Sequence, residues 1–236
     1  MPVHIHPTAP LAPRALLPGD PGRALALAQL VLAEPKMFNH NRGLWGYTGT
    51  AGDGEPMTIQ STGMGGPSAA IVLEELCDLG LEVAIRVGTC GALDGGLQLG
   101  DLVIAETALA CDGASRALGA DGALAADAGL VAALQEAAGA DGARTGLVAT
   151  TDLFYDRDRG RSQAWRRAGA LAIEMEAATL LRVGELREIR VGCLLVVSDL
   201  VGDGRQRIDA EGLLKAAERL GRVGAGALCG SSGGSG

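Results

Sequence analysis

Two glutamates interrupt the apolar stretch "ALAIEMEAATLL" at residues 170–181. An ionised carboxylate is costly to bury unless it has a partner. If residues 170–176 are extended, Glu174 and Glu176 face the same side. If a helix begins at Glu174, the two side chains diverge by about 200° around its axis. Paired carboxylates can accept hydrogen bonds from adjacent hydroxyls, as on a ribose, whereas a helix start would use them to complement its dipole.

A third acidic side chain, Asp199, ends the apolar stretch "LLVVSD" directly after Ser198. A carboxyl at the end of a buried strand is a candidate general acid, because burial favours its protonated form. The alternative is a helix cap, which is a common role for serine and aspartate. Two basic residues, Arg205 and Arg207, follow in a glycine-rich loop.

Two further segments could bind a small anion. In "LLPGDPGRA" a strand is predicted to end, Gly19 to turn, and a helix to begin with Arg23 in its first turn. Free amides at a helix start attract anions, and an arginine adds a bidentate donor. The alternative for this segment is a capped helix with a solvated arginine.

The second segment is "AIRVGTCGAL", in which Arg86 lies inside an apolar strand and Gly88, Thr89 and Gly91 are predicted to form a turn. A buried arginine needs an acidic partner, which a bound oxyanion or a core glutamate could supply. The glycine-rich stretch "STGMGGPSAAI" matches neither the G-x-G-x-x-G fingerprint of dinucleotide sites nor a P-loop.

Composition limits the classes of function. The chain has 236 residues, 47% of them hydrophobic, and a net charge of -8. Such a chain can form one large aliphatic core, and its acidity disfavours nucleic-acid binding. No signal peptide and no apolar run of about 18 residues is present, so we expect no membrane partner. The three histidines and five scattered cysteines show no metal spacing, which predicts no metal site and reduced thiols in a cytoplasmic protein.

Strand-like and helix-like stretches alternate along the chain. Predicted strands cover residues 82–88, 101–109, 144–150, 169–175 and 190–199. Predicted helices cover residues 19–32, 66–80 and 209–228, and residues 112–127 are predicted as a long surface loop. The alternation predicts an α/β fold, a central parallel or mixed sheet covered by helices, with ligands at the ends of strands. We expect one domain over residues 1–229 and a flexible Gly/Ser tail over 230–236.

The order of these motifs is more specific than any one of them. The segments "VHI", "LPGDPGRA", "NHNRGLWGYTGT", "STGMGGPSAAI", "RVGTCGAL", "TTDLFY", "EMEAATL" and "VVSD" resemble the bacterial hexameric type of purine nucleoside phosphorylase, within the nucleoside phosphorylase superfamily. The resemblance covers His4 to about residue 200. It implies a single domain whose mixed sheet forms a partly closed barrel. It also implies phosphorolysis, in which a purine (deoxy)ribonucleoside and phosphate give free base and (deoxy)ribose 1-phosphate.

The resemblance also implies roles for individual residues. Phosphate would be bound by Gly19, Arg23, Arg86 and Thr89, and by Arg42 of a neighbouring subunit. The nucleoside would be bound by Glu174, Met175 and Glu176 at the sugar, by Phe154 at the base, and by His4 across the subunit interface. Asp199, oriented by Ser198, would protonate N7 of the purine with help from Arg205 or, failing that, Arg207.

Such an enzyme needs no cofactor besides phosphate as co-substrate, and the family pattern implies a hexamer built as a trimer of dimers. Three alternatives are a uridine phosphorylase, a methylthioadenosine/adenosylhomocysteine nucleosidase, and a non-catalytic nucleoside-binding protein. The Ser198–Asp199 pair favours purine over pyrimidine, and Arg23, Arg42 and Arg86 favour phosphate over water as the nucleophile. Leu200, which follows the pair, leaves open the choice between 6-amino and 6-oxo purines.

Overall fold

The computed structural model describes residues 2–139, 142–202 and 206–230. Within them the chain forms a mixed sheet of eleven strands and seven α-helices. The strands are β1 (Arg14–Leu17), β2 (Ala33–Asn39), β3 (Gly46–Thr50), β4 (Pro56–Gln60), β5 (Val83–Ala92), β6 (Leu102–Ala110), β7 (Ala123–Ala125), β8 (Arg144–Thr150), β9 (Ala172–Glu174), β10 (Arg190–Leu200) and β11 (Gln206–Arg207). The helices are α1 (Pro21–Val31), α2 (Gly66–Asp78), α3 (Gly113–Ala117), α4 (Ala128–Ala138), α5 (Arg159–Arg167), α6 (Ala177–Leu186) and α7 (Ala210–Gly230).

Part of this sheet closes on itself. Strand β5 pairs parallel with β10, β10 pairs antiparallel with β6, β6 and β8 pair in parallel, and β9 joins β8 back to β5. Strands β1, β4, β3 and β2 extend from β5 as an open arm, while β7 pairs with β6 and β11 with β10. The predicted α/β fold, with a mixed sheet that forms a partly closed barrel, is therefore confirmed. No described helix has both the length and the apolar character that crossing a bilayer requires.

The core is aliphatic, as the composition predicts. Leu16, Ile85 and Leu194, on three neighbouring strands, are fully buried. Helix α7 packs on β1, β5 and β10 and against α1 and α4. Its close approach depends on Gly224, because a Cβ there would lie 3.0 Å from a methyl of Val87. These contacts fix the strands whose ends carry the candidate site.

The helix predicted at residues 19–32 is confirmed as α1. Asp20 is its N-cap, and the carboxylate accepts a hydrogen bond of 2.6 Å from the backbone N–H of Arg23. Pro21 opens the helix, where its missing N–H costs nothing. The start of α1 is thus fixed next to Gly19, as the anion-site hypothesis requires.

Two local predictions were wrong. Residues 112–127 are not one long loop: buried Asp112 accepts hydrogen bonds from the backbone N–H and hydroxyl of Ser115, which starts α3, and β7 follows. Residues 88–91 are not a turn, because β5 continues to Ala92 and pairs with β10 throughout. Helix α7 ends at Gly230, and residues 231–236 of the predicted tail lie outside the described residues.

Candidate functional site

A cavity of about 370 Å³ opens beyond the end of β1, along the second half of β5, and at the ends of β9 and β10. Ten of the predicted site residues line it: Gly19, Arg23, Arg86, Thr89, Phe154, Glu174, Met175, Glu176, Ser198 and Asp199. Residues far apart in the sequence therefore meet in one place, at the ends of strands, where the α/β fold is expected to bind ligands.

Arg86 is the charged centre of the cavity wall. Its Nε lies 2.9 Å from Oε2 of Glu174, and its Nη2 lies 2.5 Å from Oε2 of Glu176. Only 3% of the residue is exposed. Burial opposes the charge, but the two carboxylates outweigh it and raise the pKa of Arg86. Of the two partners that the sequence left open for Arg86, the structure shows core glutamates, Glu174 and Glu176. A guanidinium has five donors, so N–H groups remain that an oxyanion could also use.

The carboxylate of Glu174 accepts four hydrogen bonds from the protein. Besides Arg86, its donors are the Thr150 hydroxyl at 2.5 Å and the backbone N–H groups of Glu176 and Ala177, both at 2.8 Å. Burial raises the pKa of Glu174, and Arg86 opposes that shift. Glu174 therefore caps the start of α6 and holds Arg86, and its hydrogen bonds go to protein groups.

Glu176 differs from Glu174 in what it leaves open. Its carboxylate accepts from the backbone N–H of Gly65 at 2.5 Å and contacts Arg86. Its side chain is 7% exposed, whereas that of Glu174 is fully buried. The two partners leave about half of its acceptor positions for hydroxyl groups in the cavity. The stretch "EMEAA" thus contains one carboxylate that supports the wall and one that keeps acceptor positions open to the cavity.

Gly88 makes room for the Arg86 guanidinium. A Cβ at position 88 would lie 2.7 Å from Nη2 and 2.8 Å from Cζ of Arg86. Both contacts are shorter than packing allows, and two carboxylates hold the guanidinium in place. We expect Gly88→Ala to displace Arg86 and to raise the KM for the anionic substrate about tenfold or more, since each 1.4 kcal/mol is a factor of ten. Steady-state kinetics with the anion varied measure this.

The control for this prediction is Gly95→Ala, because a Cβ at Gly95 meets no atom within 4 Å. That variant should keep the wild-type KM for the anion. If Gly88→Ala also keeps the wild-type KM, the orientation of Arg86 is not what fixes affinity for the anion.

Arg23 supplies a second cation. No carboxylate of the residues that the structure describes lies within ion-pair distance of its guanidinium, whereas Arg86 has two. Burial lowers the pKa of Arg23, Asp20 opposes that shift, and the charge of Arg86 adds to it. Both guanidinium groups line the cavity, and an anion bound between them would offset their like charges.

Gly19 and the loop that follows β4 bring backbone amides to the same wall. A Cβ at Gly19 would lie 3.1 Å from the carbonyl oxygen of Gly63, so the two segments pack backbone to backbone. Gly63 and Gly65 have φ values of 75° and 86°, which other residues rarely adopt. These glycines let the loop turn so that the N–H of Gly65 meets Glu176.

Ser198 and Asp199 lie on an irregular part of β10. Val197 pairs with Cys90 and Asp199 with Gly91, so Ser198 is the extra residue of a β-bulge. Such a bulge redirects side chains next to a site. The Ser198 hydroxyl donates to Oδ2 of Asp199 at 2.7 Å, and Asp199 is 3% exposed. The hydroxyl fixes one carboxylate oxygen, as expected of a positioned acid.

Strand β11 carries a cation to this acid. Arg207 pairs with Asp199 across the two strands, and its Nε lies 3.9 Å from Oδ1. The side chain of Arg207 is 65% exposed. Arg205, the first choice for this role, lies outside the described residues.

The two residues expected to act across a subunit interface, His4 and Arg42, do not line the cavity of their own chain. Nδ1 of His4 lies 2.7 Å from Glu75, and the Asn41 amide donates to the His4 carbonyl. Arg42 has a φ of 56°, a left-handed conformation that costs about 1–3 kcal/mol in a non-glycine residue. The segments of His4 and Arg42 are thus joined outside the cavity.

The wall of the cavity adds residues without a predicted role to Phe154, the predicted partner of the base. Phe154 is 44% exposed and packs edge-on against Tyr155, with ring centroids 5.0 Å apart. Further lining residues are Met64, Cys90, Thr151, Leu153 and Ile173. All but Ile173 lie within the motifs of the family resemblance, but nothing in these residue types marks any one of them as part of a site. Within the described ranges, no three His, Cys, Asp or Glu residues are grouped as a metal ion would require.

Comparison with known proteins gives concordant results. Residues 13–228 match the family model described as "Phosphorylase superfamily". The chain is 38% identical over 212 residues to the DeoD-type purine nucleoside phosphorylase of Geobacillus kaustophilus, which covers 87% of this chain and 89% of the relative. It is 35% identical over 201 residues to the enzyme of the same name from Clostridium novyi, covering 83% and 86% of the two chains.

Proposed function

The chain belongs to the phosphorylase superfamily, and on that premise we propose that it is a purine nucleoside phosphorylase. It transfers the (deoxy)ribosyl group of a purine nucleoside to orthophosphate and releases the free base. One observation carries this proposal: two arginines, the Glu176 carboxylate and an aspartate that is hydrogen-bonded to a serine line the same cavity. These groups match, in order, an anionic nucleophile, a pair of sugar hydroxyls and a leaving base.

Phosphate binds between Arg23 and Arg86, with the backbone of Gly19 and the hydroxyl of Thr89 beside it. Both arginines line the cavity, and Arg23 has no carboxylate partner among the described residues. A planar guanidinium holds an oxyanion at two atoms and so fixes its direction of attack. Fixing the nucleophile beneath the sugar removes much of the entropic cost of a bimolecular reaction.

The sugar binds at Met175 and Glu176, and the base packs on Phe154. Glu176 accepts hydrogen bonds from adjacent hydroxyls at its open positions, while Glu174 supports the wall from behind. As the glycosidic bond lengthens, the sugar becomes positively charged, and the phosphate and Glu176 stabilise that charge. Half-exposed Phe154 offers a flat apolar surface for the purine.

Asp199 donates the proton that the leaving purine takes up at N7. The Ser198 hydroxyl donates to Oδ2 at 2.7 Å and so fixes the orientation of the Asp199 carboxyl group in the cavity. Arg207, at 3.9 Å from Oδ1, is the described arginine suited to stabilise the carboxylate once the proton has left. Proton transfer by a positioned group contributes about 10²–10⁴-fold to a rate.

The pyrimidine and hydrolytic alternatives account for less of the cavity. A hydrolytic enzyme uses water and has no need of two arginines next to the sugar site. A pyrimidine has no N7, the atom that the Ser198–Asp199 pair is proposed to protonate. In a non-catalytic nucleoside-binding protein, neither the two arginines nor the Ser198–Asp199 pair would have a function.

A second copy of the chain completes the site. The segments of His4 and Arg42 lie outside their own cavity, and Arg42 is held in a strained conformation. Apolar side chains on the same segments are exposed: Val3 by 70%, Met37 by 40% and Trp45 by 38%. In the resulting homo-oligomer, a hexamer of three dimers, Arg42 reaches the phosphate and His4 the sugar of the neighbour.

Complementation tests the shared site. Arg42→Ala should raise the KM for phosphate about tenfold, the loss expected for one charge-assisted hydrogen bond. Mixed oligomers made by refolding Arg42→Ala and Asp199→Asn chains together should regain activity at low phosphate, because some sites then hold both wild-type residues. The control is Arg187→Ala, which removes two surface ion pairs, one with Glu74 and one with Asp78. Failure of the mixed oligomers to exceed either parent would contradict a shared site.

The function itself is tested by base release from inosine and adenosine with and without orthophosphate. The proposed activity gives a free base and a sugar phosphate in equal amounts, and only when phosphate is present. Base release without phosphate identifies a nucleosidase, and binding without turnover identifies a nucleoside-binding protein. Comparing the two substrates also settles the choice between 6-amino and 6-oxo purines.

A further inference from the structure

Thr150 is a fully buried polar residue at the end of β8 that does not line the cavity. Its hydroxyl donates to Oε1 of Glu174 at 2.5 Å and accepts from the backbone N–H of Ala178 at 2.9 Å. A hydroxyl has one proton, and the amide of Ala178 also supplies one. The Thr150 proton must therefore point at Glu174, which makes the direction of this hydrogen bond unambiguous.

The two oxygens of Glu174 have different partners. Oε2 accepts from Arg86 Nε, Glu176 N and Ala177 N, at 2.8–2.9 Å. Oε1 accepts from Thr150. Thr150 thus holds one oxygen while two backbone N–H groups and Arg86 hold the other, and together they fix the rotation of the carboxylate and its contact with Arg86.

The consequence reaches the ligand through Arg86. Its guanidinium is planar and rigid, so the contact of Nε with Glu174 sets where the remaining N–H groups point. Gly88 leaves no slack on the neighbouring side, since a Cβ there would overlap the guanidinium. A change in the rotation of Glu174 is thus transmitted to the side of Arg86 that faces the cavity.

We propose that Thr150 is a positioning residue: through Glu174 it orients Arg86 toward the oxyanion, without touching any ligand itself. This inference rests on the proposed function only in identifying the oxyanion as orthophosphate. Glu174 transmits the effect, and α6 is held in the same arrangement because Thr150 also binds Ala178.

The test is titration of orthophosphate into Thr150→Val and wild-type protein by isothermal calorimetry, which does not require turnover. Valine keeps the shape of threonine but leaves Glu174 Oε1 and Ala178 N without a partner. We expect the dissociation constant for phosphate to rise about tenfold, the effect of one lost hydrogen bond to a charged group. In Thr150→Ser the dissociation constant for phosphate should lie within about threefold of the wild-type value, because serine keeps the hydroxyl. Nucleoside affinity should change less, because Glu176 keeps its contact with Gly65.

Thr179→Val is the matched control. Thr179 is also fully buried, and its hydroxyl also donates to a carboxylate, that of Asp112 at 2.6 Å, which does not line the cavity. It should lower the thermal midpoint of unfolding but leave phosphate affinity unchanged. If Thr150→Val does not fold, Thr150→Ala removes the same hydroxyl with less crowding.

The outcomes separate the inference from the proposed function. Unchanged phosphate affinity in Thr150→Val, or an equal loss in Thr179→Val, overturns the positioning role and leaves the phosphorylase intact. If Thr150→Val weakens phosphate binding and the wild-type protein does not release base, the positioning role is supported and the phosphorylase is overturned. A wild-type protein that binds no orthophosphate overturns both.

Discussion

Replacing Asp199 by asparagine is expected to lower kcat for phosphorolysis by about 10²–10⁴-fold, the usual contribution of a positioned general acid. The KM for the nucleoside should change by less than about threefold, because asparagine has the same shape and can still accept the Ser198 hydrogen bond. A fall in kcat with little change in KM marks a group that acts in the transition state. Initial rates with inosine and adenosine at saturating phosphate measure both constants.

The control is Asp112→Asn. Asp112 is fully buried and accepts a hydrogen bond from the hydroxyl of Ser115, as Asp199 does from that of Ser198. Unlike Asp199, it caps α3 and does not line the cavity. This variant should lose stability and keep its kcat. If Asp199→Asn turns over both nucleosides at the wild-type rate, the leaving base is not protonated by Asp199.

Removing Arg86 has the second large effect, and it combines two losses. Arg86→Ala leaves Glu174 and Glu176 buried against each other, and breaking a buried ion pair in this way costs about 3–5 kcal/mol of unfolding free energy. It also removes one of two guanidinium groups from the phosphate, which we expect to lower kcat/KM for phosphate by about 10²–10³-fold. Denaturant unfolding and steady-state kinetics measure the two losses separately.

Arg14→Ala separates stability from phosphate binding. Arg14 is 4% exposed, as buried as Arg86, and holds Asp53 through two contacts of 2.6 Å, but it does not line the cavity. The variant should be destabilised and keep the wild-type KM for phosphate. An equal loss of phosphate use in both variants would mean that Arg86 acts only through the stability of the fold.

Much of the fold is encoded in local patterns. Asp20 and Pro21 mark the start of α1 at a position that the structure confirms, because a cap and a missing N–H act within a single turn. The apolar stretches that become β6, β8 and β10 were predicted to within one or two residues. Closure of the barrel was expected only from the family resemblance, because the pairing of β9 with β5 joins segments about 80 residues apart.

The two errors have different physical causes. "GTCG" was predicted as a turn because it contains two glycines, but pairing with β10 keeps Gly88 and Gly91 extended, so a tertiary contact overrides a weak local preference. Asp112 caps α3 through Ser115, three residues on, inside a stretch whose composition suggested a loop. There the local cap outweighs the glycines around it.

The residue types of the site were predictable from the sequence, but the separate roles of Glu174 and Glu176 were not. Sequence spacing indicated that Glu174 and Glu176 belong together, and the structure brings both to Arg86. Which of the two supports the wall depends on Thr150, 24 positions before Glu174, and no local pattern reveals that contact. The bulge at Ser198 likewise exists only through the pairing of β10 with β5.

The central claim is that two guanidinium groups hold an inorganic oxyanion beneath the sugar site. A crystal structure of the protein soaked with sulfate or phosphate tests it most directly. We predict one anion that contacts both Arg23 and Arg86, on the side of Arg86 away from Glu174. A cavity that contains no such anion, or an anion that touches neither arginine, would contradict the account.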